Sequence, residues 1–242
     1  MMNTSGHLSH VLFAMASLCI LAACDIVKID ADGPSDLQWR YSRPAGVDLT
    51  LSEVTVAQYR ACVEAVKCAP PKSKNENKDC NWGHAGRDNH PVNCVDLRKS
   101  KAFCEWAGGR LPSEDEWYAE ASNGGRRRFA WGDVNAVCDP AAIDHGGHGC
   151  GRDSTRPVCS ISAGNSVSGF CDMSGGVWEW TSTRWSPRSS SNVLRGGSWF
   201  VDKAEPPPAT YRMKYFYSNS DSFVGLRCAR ASKKQTQVEP GL

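Results

Sequence analysis

This chain has little excess of either positive or negative charge. It has 28 Lys and Arg residues against 26 Asp and Glu residues, for a formal net charge of +2 over 242 residues. Such a weak field would not attract nucleic acid, so we expect no nucleic-acid partner. The sequence also lacks a phosphate-binding loop, a dinucleotide fingerprint and a nucleophile elbow. These absences argue against nucleotide-dependent enzymes and against hydrolases of the nucleophile-elbow type.

No apolar run is long enough to span a bilayer. The candidate, residues 11–23 (VLFAMASLCILAA), has thirteen residues, whereas a membrane-spanning helix needs about 20. The run ends in L-A-A-C at Cys24, which fits a lipoprotein cleavage box, although residues 1–10 contain no Lys or Arg. We predict a lipoprotein signal peptide over 1–23 and a membrane-anchoring lipid on Cys24, at the bacterial cell envelope and facing the periplasm or exterior. An ordinary secretory peptide is the alternative.

Cysteine is abundant, with 12 residues. Setting aside Cys19 and Cys24 leaves an even number, which in an exported chain indicates disulfides. Cys62 and Cys68 are our expected local pair. Four zinc-capable residues share a glycine-rich loop, where we expect the cysteines to be bridged instead: Cys138, His145, His148 and Cys150.

Hydrophobic periodicity and capping residues predict the regular elements. Helices are expected at 56–66, 96–106 and 113–121, the second capped by Asp96 and the third by a capping box of Ser113 and Glu116. Strands are expected at 47–56, 177–183, 193–200, 211–217 and 223–229. We therefore predict a polar tether over 24–46, one domain over 47–230 and a polar tail over 231–242.

Three phrases occur in a fixed order near the end of the chain: GFCDMSGGVWEW from Gly169, VLRGGSW from Val193 and VGLRCAR from Val224. A longer phrase precedes them in the chain and begins at His90: HPVNCVDLRKSKAFCEWAGGRLPSEDEWYAEAS. Together they resemble the formylglycine-generating enzyme (sulfatase-modifying factor) family. The resemblance implies a single α+β domain that is irregular, loop-rich, disulfide-linked and related to C-type lectins, with most tryptophans as core anchors. It also implies a disulfide between Cys104 and Cys228.

The phrase CDMSGGVWEW resembles a calcium site of that family. Carried over, the ligands are the Asp172 side chain, the carbonyls of Gly175 and Val177, and the Glu179 carboxylate. Calcium prefers six to eight oxygen ligands in loose geometry, which a glycine-bearing turn can supply. The alternative is that Asp172 caps a turn and Glu179 pairs with a buried arginine.

The family's reaction oxidises a substrate cysteine to formylglycine, with copper held by two thiolates. By register, the first of those cysteines falls at Val201 and the second among 206–208, and residues 196–227 contain no cysteine at all. Soft thiolates are what monovalent copper requires, so we do not expect copper. The residues that would still line the ancestral cleft are Arg195, Ser198, Val201, Tyr211 and Arg212.

Three functional hypotheses follow, in this order. The first is a membrane-anchored binding or structural module, a pseudoenzyme that recognises a peptide, a glycan or an envelope protein. The second is a diverged enzyme that uses the same cleft with a different metal. The third and weakest is a cysteine-oxidising sulfatase activator. A scaffold of this kind can host many sites, so the choice must come from the residues of the site.

Overall fold

Most of the described residues lie in loops between short elements. The computed structural model describes residues 33–134, 153–200 and 207–232. The helices in these residues are α1 (Val56–Glu64), α2 (Leu97–Trp106) and α3 (Glu114–Ala121), with a 3-10 turn at Ser162–Gly164. The strands are β1 (Trp39–Ser42), β2 (Val47–Thr50), β3 (Trp178–Arg184), β4 (Ser191–Arg195), β5 (Met213–Phe216), β6 (Val224–Gly225) and β7 (Ala229–Arg230). The predicted α+β, loop-rich class is confirmed.

Each helix begins at a side chain that caps its free backbone N–H groups. Asp96 accepts a bond from the third residue of α2, and Ser113 and Glu116 form the predicted capping box of α3. A second capping box, which we did not predict, opens α1: the Gln58 backbone donates to Thr55 Oγ1 at 3.2 Å and the Thr55 backbone donates to Gln58 Oε1 at 3.0 Å. Each cap contributes about 1 kcal/mol, which fixes where these short helices start.

The strands form two small sheets. One has the order β1-β2-β7 and is antiparallel. The other has the order β5-β4-β3-β6, in which only β3 and β6 run parallel. In the first sheet Asp48 of β2 lies opposite Arg230 of β7, so an early strand of the domain pairs with its last described strand.

Residues 24–46, where we expect a polar tether, include one strand of the first sheet: β1 pairs along its whole length with β2. Just before β1, Leu37 packs against the core. The strand expected over 47–56 ends at Thr50, and α1 begins at Val56.

The strand expected over 193–200 ends at Arg195. Gly196 and Gly197 follow with φ angles of +108° and +82°, which lie outside the extended region. A Cβ on Gly197 would lie 2.7 Å from Cγ of Pro207. The RGGS phrase is therefore a turn whose second glycine allows close approach of a proline-bearing segment.

Within the described residues, four disulfides and several tryptophans hold the core together. The bonds join Cys62 to Cys68, Cys80 to Cys94, Cys104 to Cys228 and Cys159 to Cys171. The pairings of Cys104 with Cys228 and of Cys62 with Cys68 are those expected from the sequence, and the other two were not assigned there. Trp117 and Trp180 are fully buried, and Trp178 and Trp199 are nearly so.

Within residues 33–134, 153–200 and 207–232, no helix is long and apolar enough to cross a membrane.

Candidate functional site

The centre of the candidate site is a buried ion pair between the start of β3 and the segment that leads into β7. Arg227 donates from Nε to Glu179 Oε2 at 2.7 Å and from Nη2 to Glu179 Oε1 at 2.8 Å. Trp117 donates to the same Oε2 at 2.7 Å. Both charged side chains are fully buried. The alternative that Glu179 pairs with a buried arginine is therefore confirmed.

A second buried carboxylate, which the sequence reasoning missed, faces the same turn. Glu53 follows β2, and its Oε1 accepts a bond of 2.7 Å from the Val177 backbone N–H. A Cβ on Gly176 would lie 2.4 Å from that oxygen, so this position admits only glycine unless the carboxylate moves. Its partner Val177 is 124 positions away, so no local pattern in the sequence singles out Glu53.

Asp172 completes an acidic cluster with Glu53 and Glu179. Its Oδ2 accepts a bond of 2.7 Å from the backbone N–H of Cys159, thirteen residues earlier, so it holds a distant loop rather than capping its own turn. Asp172 keeps partial exposure, whereas Glu53 and Glu179 are buried. The cluster therefore reaches the surface at Asp172.

Burial and mutual repulsion raise the pKa values of two carboxyls in the acidic cluster. Burial raises the pKa of Glu53 well above its usual value, and the charges of Asp172 and Glu179 raise it further. Burial also raises the pKa of the Asp172 carboxyl. The positive charge of Arg227 interacts with all three carboxylates. Three ionised carboxylates around one guanidinium would have a formal charge of −2, and because burial makes uncompensated charge costly, the cluster favours protonation or a bound cation.

The carboxylates of the acidic cluster are not sufficient by themselves to hold a divalent cation. No group of three His, Cys, Asp or Glu side chains in the described part of the chain is arranged to hold a metal by itself. A cation would therefore need backbone carbonyls, and the predicted ligands Gly175 and Val177 are in the turn between Asp172 and Glu179. Glu179 already accepts three hydrogen bonds, which leaves Glu53 and Asp172 as the less occupied carboxylates.

The ancestral cleft is organised around another acid, Glu114 at the start of α3. Arg195 and Arg212 both donate to Glu114 Oε1, and Arg212 also donates to Oε2 at 2.8 Å. Arg195 donates further to the carbonyls of Ala209 at 2.9 Å and Tyr211 at 2.8 Å. Arg195 and Glu114 are buried, so these contacts hold β4 to α3 and to the segment before β5.

The remaining cleft residues divide between interior and surface. Ser198 is buried and donates to the carbonyl of Phe200 at 3.0 Å. Tyr211 is 44% exposed, and its ring lies 5.8 Å from that of Trp178. Arg212 packs its guanidinium over Trp185 at 4.8 Å. Arg195 and Ser198 thus serve the core, and Tyr211 and Arg212 reach the surface.

Several predicted sites lie outside the described residues. They are Val201, the lipid-bearing Cys24, and the zinc-capable group Cys138, His145, His148 and Cys150.

Comparison with known proteins identifies the family. The chain matches the model of the sulfatase-modifying factor enzyme 1-like domain over residues 40–232. It is 33% identical over 178 residues to a hercynine oxygenase of Mycolicibacterium thermoresistibile, a match that covers 62% of this chain and 38% of that protein. It is 30% identical over 159 residues to the inactive C-alpha-formylglycine-generating enzyme 2 of Mus musculus, covering 59% and 49% respectively. The match spans less than half the length of each of these two relatives.

A solved structure supports the fold. PvdO from Pseudomonas aeruginosa superposes with a TM-score of 0.61 at 22% sequence identity, over 76% of this chain and 80% of PvdO. At that identity the likeness concerns the fold alone.

Proposed function

We propose, since this chain belongs to the sulfatase-modifying factor family, that it is a member without formylglycine-generating activity that acts as a binding or structural module at the cell envelope. The observation that carries the proposal is the absence of cysteine from residues 196–227. Valine and proline stand where the copper-binding thiolates are expected, and neither can ligate a metal or act as a nucleophile. One of the relatives is itself named as inactive.

Two contacts of the cleft favour a structural use of its residues. Arg195 donates hydrogen bonds to Glu114 and to two backbone carbonyls. Pro207 packs close against Gly197, within the turn that follows β4. A buried arginine that bridges three segments stabilises the scaffold, and truncating it would leave Glu114 without one of its two partners. Of the described cleft residues, Tyr211 and Arg212 are the ones that reach the surface.

Turnover of a model substrate tests the loss of activity. The purified chain is incubated with monovalent copper, dioxygen and a Cys-x-Pro-x-Arg peptide, and mass spectrometry follows conversion of the cysteine to an aldehyde. We expect no aldehyde, with a competent formylglycine-generating enzyme on the same peptide as the positive control. Aldehyde formation by this chain would overturn the proposal.

Membrane attachment is tested separately. We propose a lipid on Cys24, which predicts incorporation of a labelled fatty acid and recovery of the chain with membranes. Cys24→Ala is expected to abolish both, whereas Cys19→Ala, within the apolar run, is the matched control and should change neither. Crosslinking from intact membranes then identifies the peptide, glycan or envelope protein that the module binds. Unlabelled chain in the soluble fraction would contradict the anchor.

We also propose that the acidic cluster holds a calcium ion. Asp172 and the carbonyls of Gly175 and Val177 would bind it, with Glu53 as an additional ligand beside Glu179. The ion would supply two positive charges, which match the formal charge that Arg227 leaves uncompensated. Its role is to fix the turn ahead of β3.

Thermal unfolding in calcium and in chelator tests this ion. At a free concentration about 100 times the dissociation constant, a bound ion stabilises the fold by about 2.7 kcal/mol. Asp172→Asn is expected to remove most of the calcium effect. Asp88→Asn is the matched control, because Asp88 pairs with Arg60 at the surface and should not alter it. If wild type unfolds at the same temperature in both buffers, the calcium proposal fails, and the family assignment and the binding role are unaffected.

A further inference from the structure

A basic groove lies between α2 and the hairpin that joins β3 to β4. Its volume is about 370 Å³. Lys101 enters it from α2, Arg184 from the end of β3 and Arg188 from the hairpin turn. Three cations from three segments therefore line one depression.

Among the described residues, these three cations have no carboxylate as an ion-pair partner. None of them forms an ion pair with a carboxylate in residues 33–134, 153–200 or 207–232, and no acidic side chain lines the groove. The nearest acid along α2, Glu105, is four positions after Lys101 and lines a neighbouring hollow together with Lys101 and Arg98, so Arg184 and Arg188 are the cations farther from an acid on α2. Like charges held around one depression repel each other, so an anion in the groove would be bound favourably.

The other lining groups are hydrogen-bonding side chains and one aromatic ring. Ser182 Oγ donates to the Pro112 carbonyl at 3.2 Å and Asn192 Nδ2 donates to the Thr181 carbonyl at 3.1 Å, so what these two side chains offer the groove is their hydroxyl and amide oxygens as acceptors. Tyr217 is 48% exposed and forms part of the wall. Its backbone N–H donates to the Ser190 carbonyl at 3.2 Å, and its carbonyl accepts from the Leu97 N–H at 3.1 Å. The backbone at Tyr217 is therefore held between the hairpin and α2, and its ring stacks on that of Phe216 with centroids 4.8 Å apart.

We propose that this groove binds a sugar that carries one phosphate, sulfate or carboxylate group. The cations would hold the anionic group, Ser182 and Asn192 would bond hydroxyl groups, and the Tyr217 ring would pack against the sugar ring. The volume lies at the lower end of the range for small-molecule sites, which suits one or two sugar rings. The groove shares no lining residue with the acidic cluster or the ancestral cleft. The proposed sugar binding can therefore be confirmed or refuted independently of the function proposed above.

Calorimetric titration of the full-length chain tests the proposal. The probes are glucose 6-phosphate, glucose 6-sulfate and glucuronate, with glucose and inorganic phosphate as partial probes. We expect at least one anionic sugar to bind about tenfold more tightly than either partial probe, which corresponds to about 1.4 kcal/mol. Binding should weaken as salt is raised, because the contacts are exposed ion pairs.

Two double variants separate the groove from the general charge of the chain. Arg184→Gln with Arg188→Gln should weaken binding of the anionic sugar about tenfold or more. Lys67→Gln with Lys74→Gln removes the same charge from exposed positions elsewhere and should leave affinity within about twofold. All four side chains are exposed, so both variants should fold, and the circular dichroism spectrum verifies this.

Three results would overturn the inference: no anionic sugar binds better than glucose, the Arg184 and Arg188 variant binds as wild type does, or both double variants weaken binding equally. Tighter binding of an acidic peptide than of every anionic sugar would also refute the proposed ligand class.

Discussion

Truncating Arg227 to methionine should destabilise the domain more than any change to a surface ion pair. The side chain is fully buried, and it bonds three segments: Glu179 on β3, the Thr50 carbonyl at the end of β2 and the Cys171 carbonyl. Without it, Glu179 would remain buried beside Glu53 with no guanidinium to compensate either charge.

The expected loss is about 3–5 kcal/mol, the usual cost of removing one partner of a buried ion pair. This is a large share of a typical stability of about 5–15 kcal/mol. Arg60→Met is the matched control: Arg60 donates to Asp88 at 2.6 Å, but their side chains are 37% and 57% exposed. Removing that pair should cost no more than about 1 kcal/mol.

Urea denaturation with intact disulfides, in chelator, measures both variants by tryptophan fluorescence and circular dichroism. The dependence on urea should keep its slope, because the surface exposed on unfolding is unchanged. Adding Glu179→Gln to Arg227→Met should recover part of the loss, since it removes one of the uncompensated charges. If Arg227→Met costs as little as Arg60→Met, the reasoning about the buried charges is wrong.

Three further predictions concern other parts of the fold. Burial lowers the pKa of His90 to about 4, so the stability contributed by its neutral imidazole is present above about pH 6.5 and is lost as pH falls towards 4. The difference in unfolding free energy between wild type and His90→Gln should therefore grow from pH 4 to 6.5 in urea titrations, and a constant difference would refute this. Replacing both Cys104 and Cys228 by serine opens a loop of 124 residues and should cost about 4–5 kcal/mol in the chain-entropy model, measured as a drop in the urea midpoint. Gly176→Ala places a Cβ 2.4 Å from a Glu53 oxygen at a φ of +70°, so it should cost about 1–3 kcal/mol and reduce any stabilisation by calcium; a variant with the parent's unfolding temperatures in calcium and in chelator would contradict this.

The helices were the most predictable elements because their signals are local. A capping residue marks each of two helix starts within four residues of sequence: Asp96 for α2, and Ser113 with Glu116 for α3. The cap at Thr55 was missed because it lies inside a run that also alternates like a strand. In the structure β2 ends before this segment, and the capping box starts α1.

The site was less predictable because its partners are distant in sequence. The sequence identified Asp172 and Glu179, but the arginine that neutralises Glu179 is 48 positions further along the chain. Glu53 meets Val177 across 124 positions, and no periodicity reports such a contact. Glu114 was placed correctly on α3, yet only tertiary packing brings it to both Arg195 and Arg212.

The pairing of β2 with β7 also constrains when the protein can be completed. Asp48 and Arg230 are 182 positions apart, so a nascent chain emerging from the ribosome can pair β2 with β1 early, but the other edge of β2 has no neighbour until β7 has been made. The first sheet is therefore completed only after β7 emerges, and a chain that stops before β7 would leave that edge of β2 open and available for aggregation.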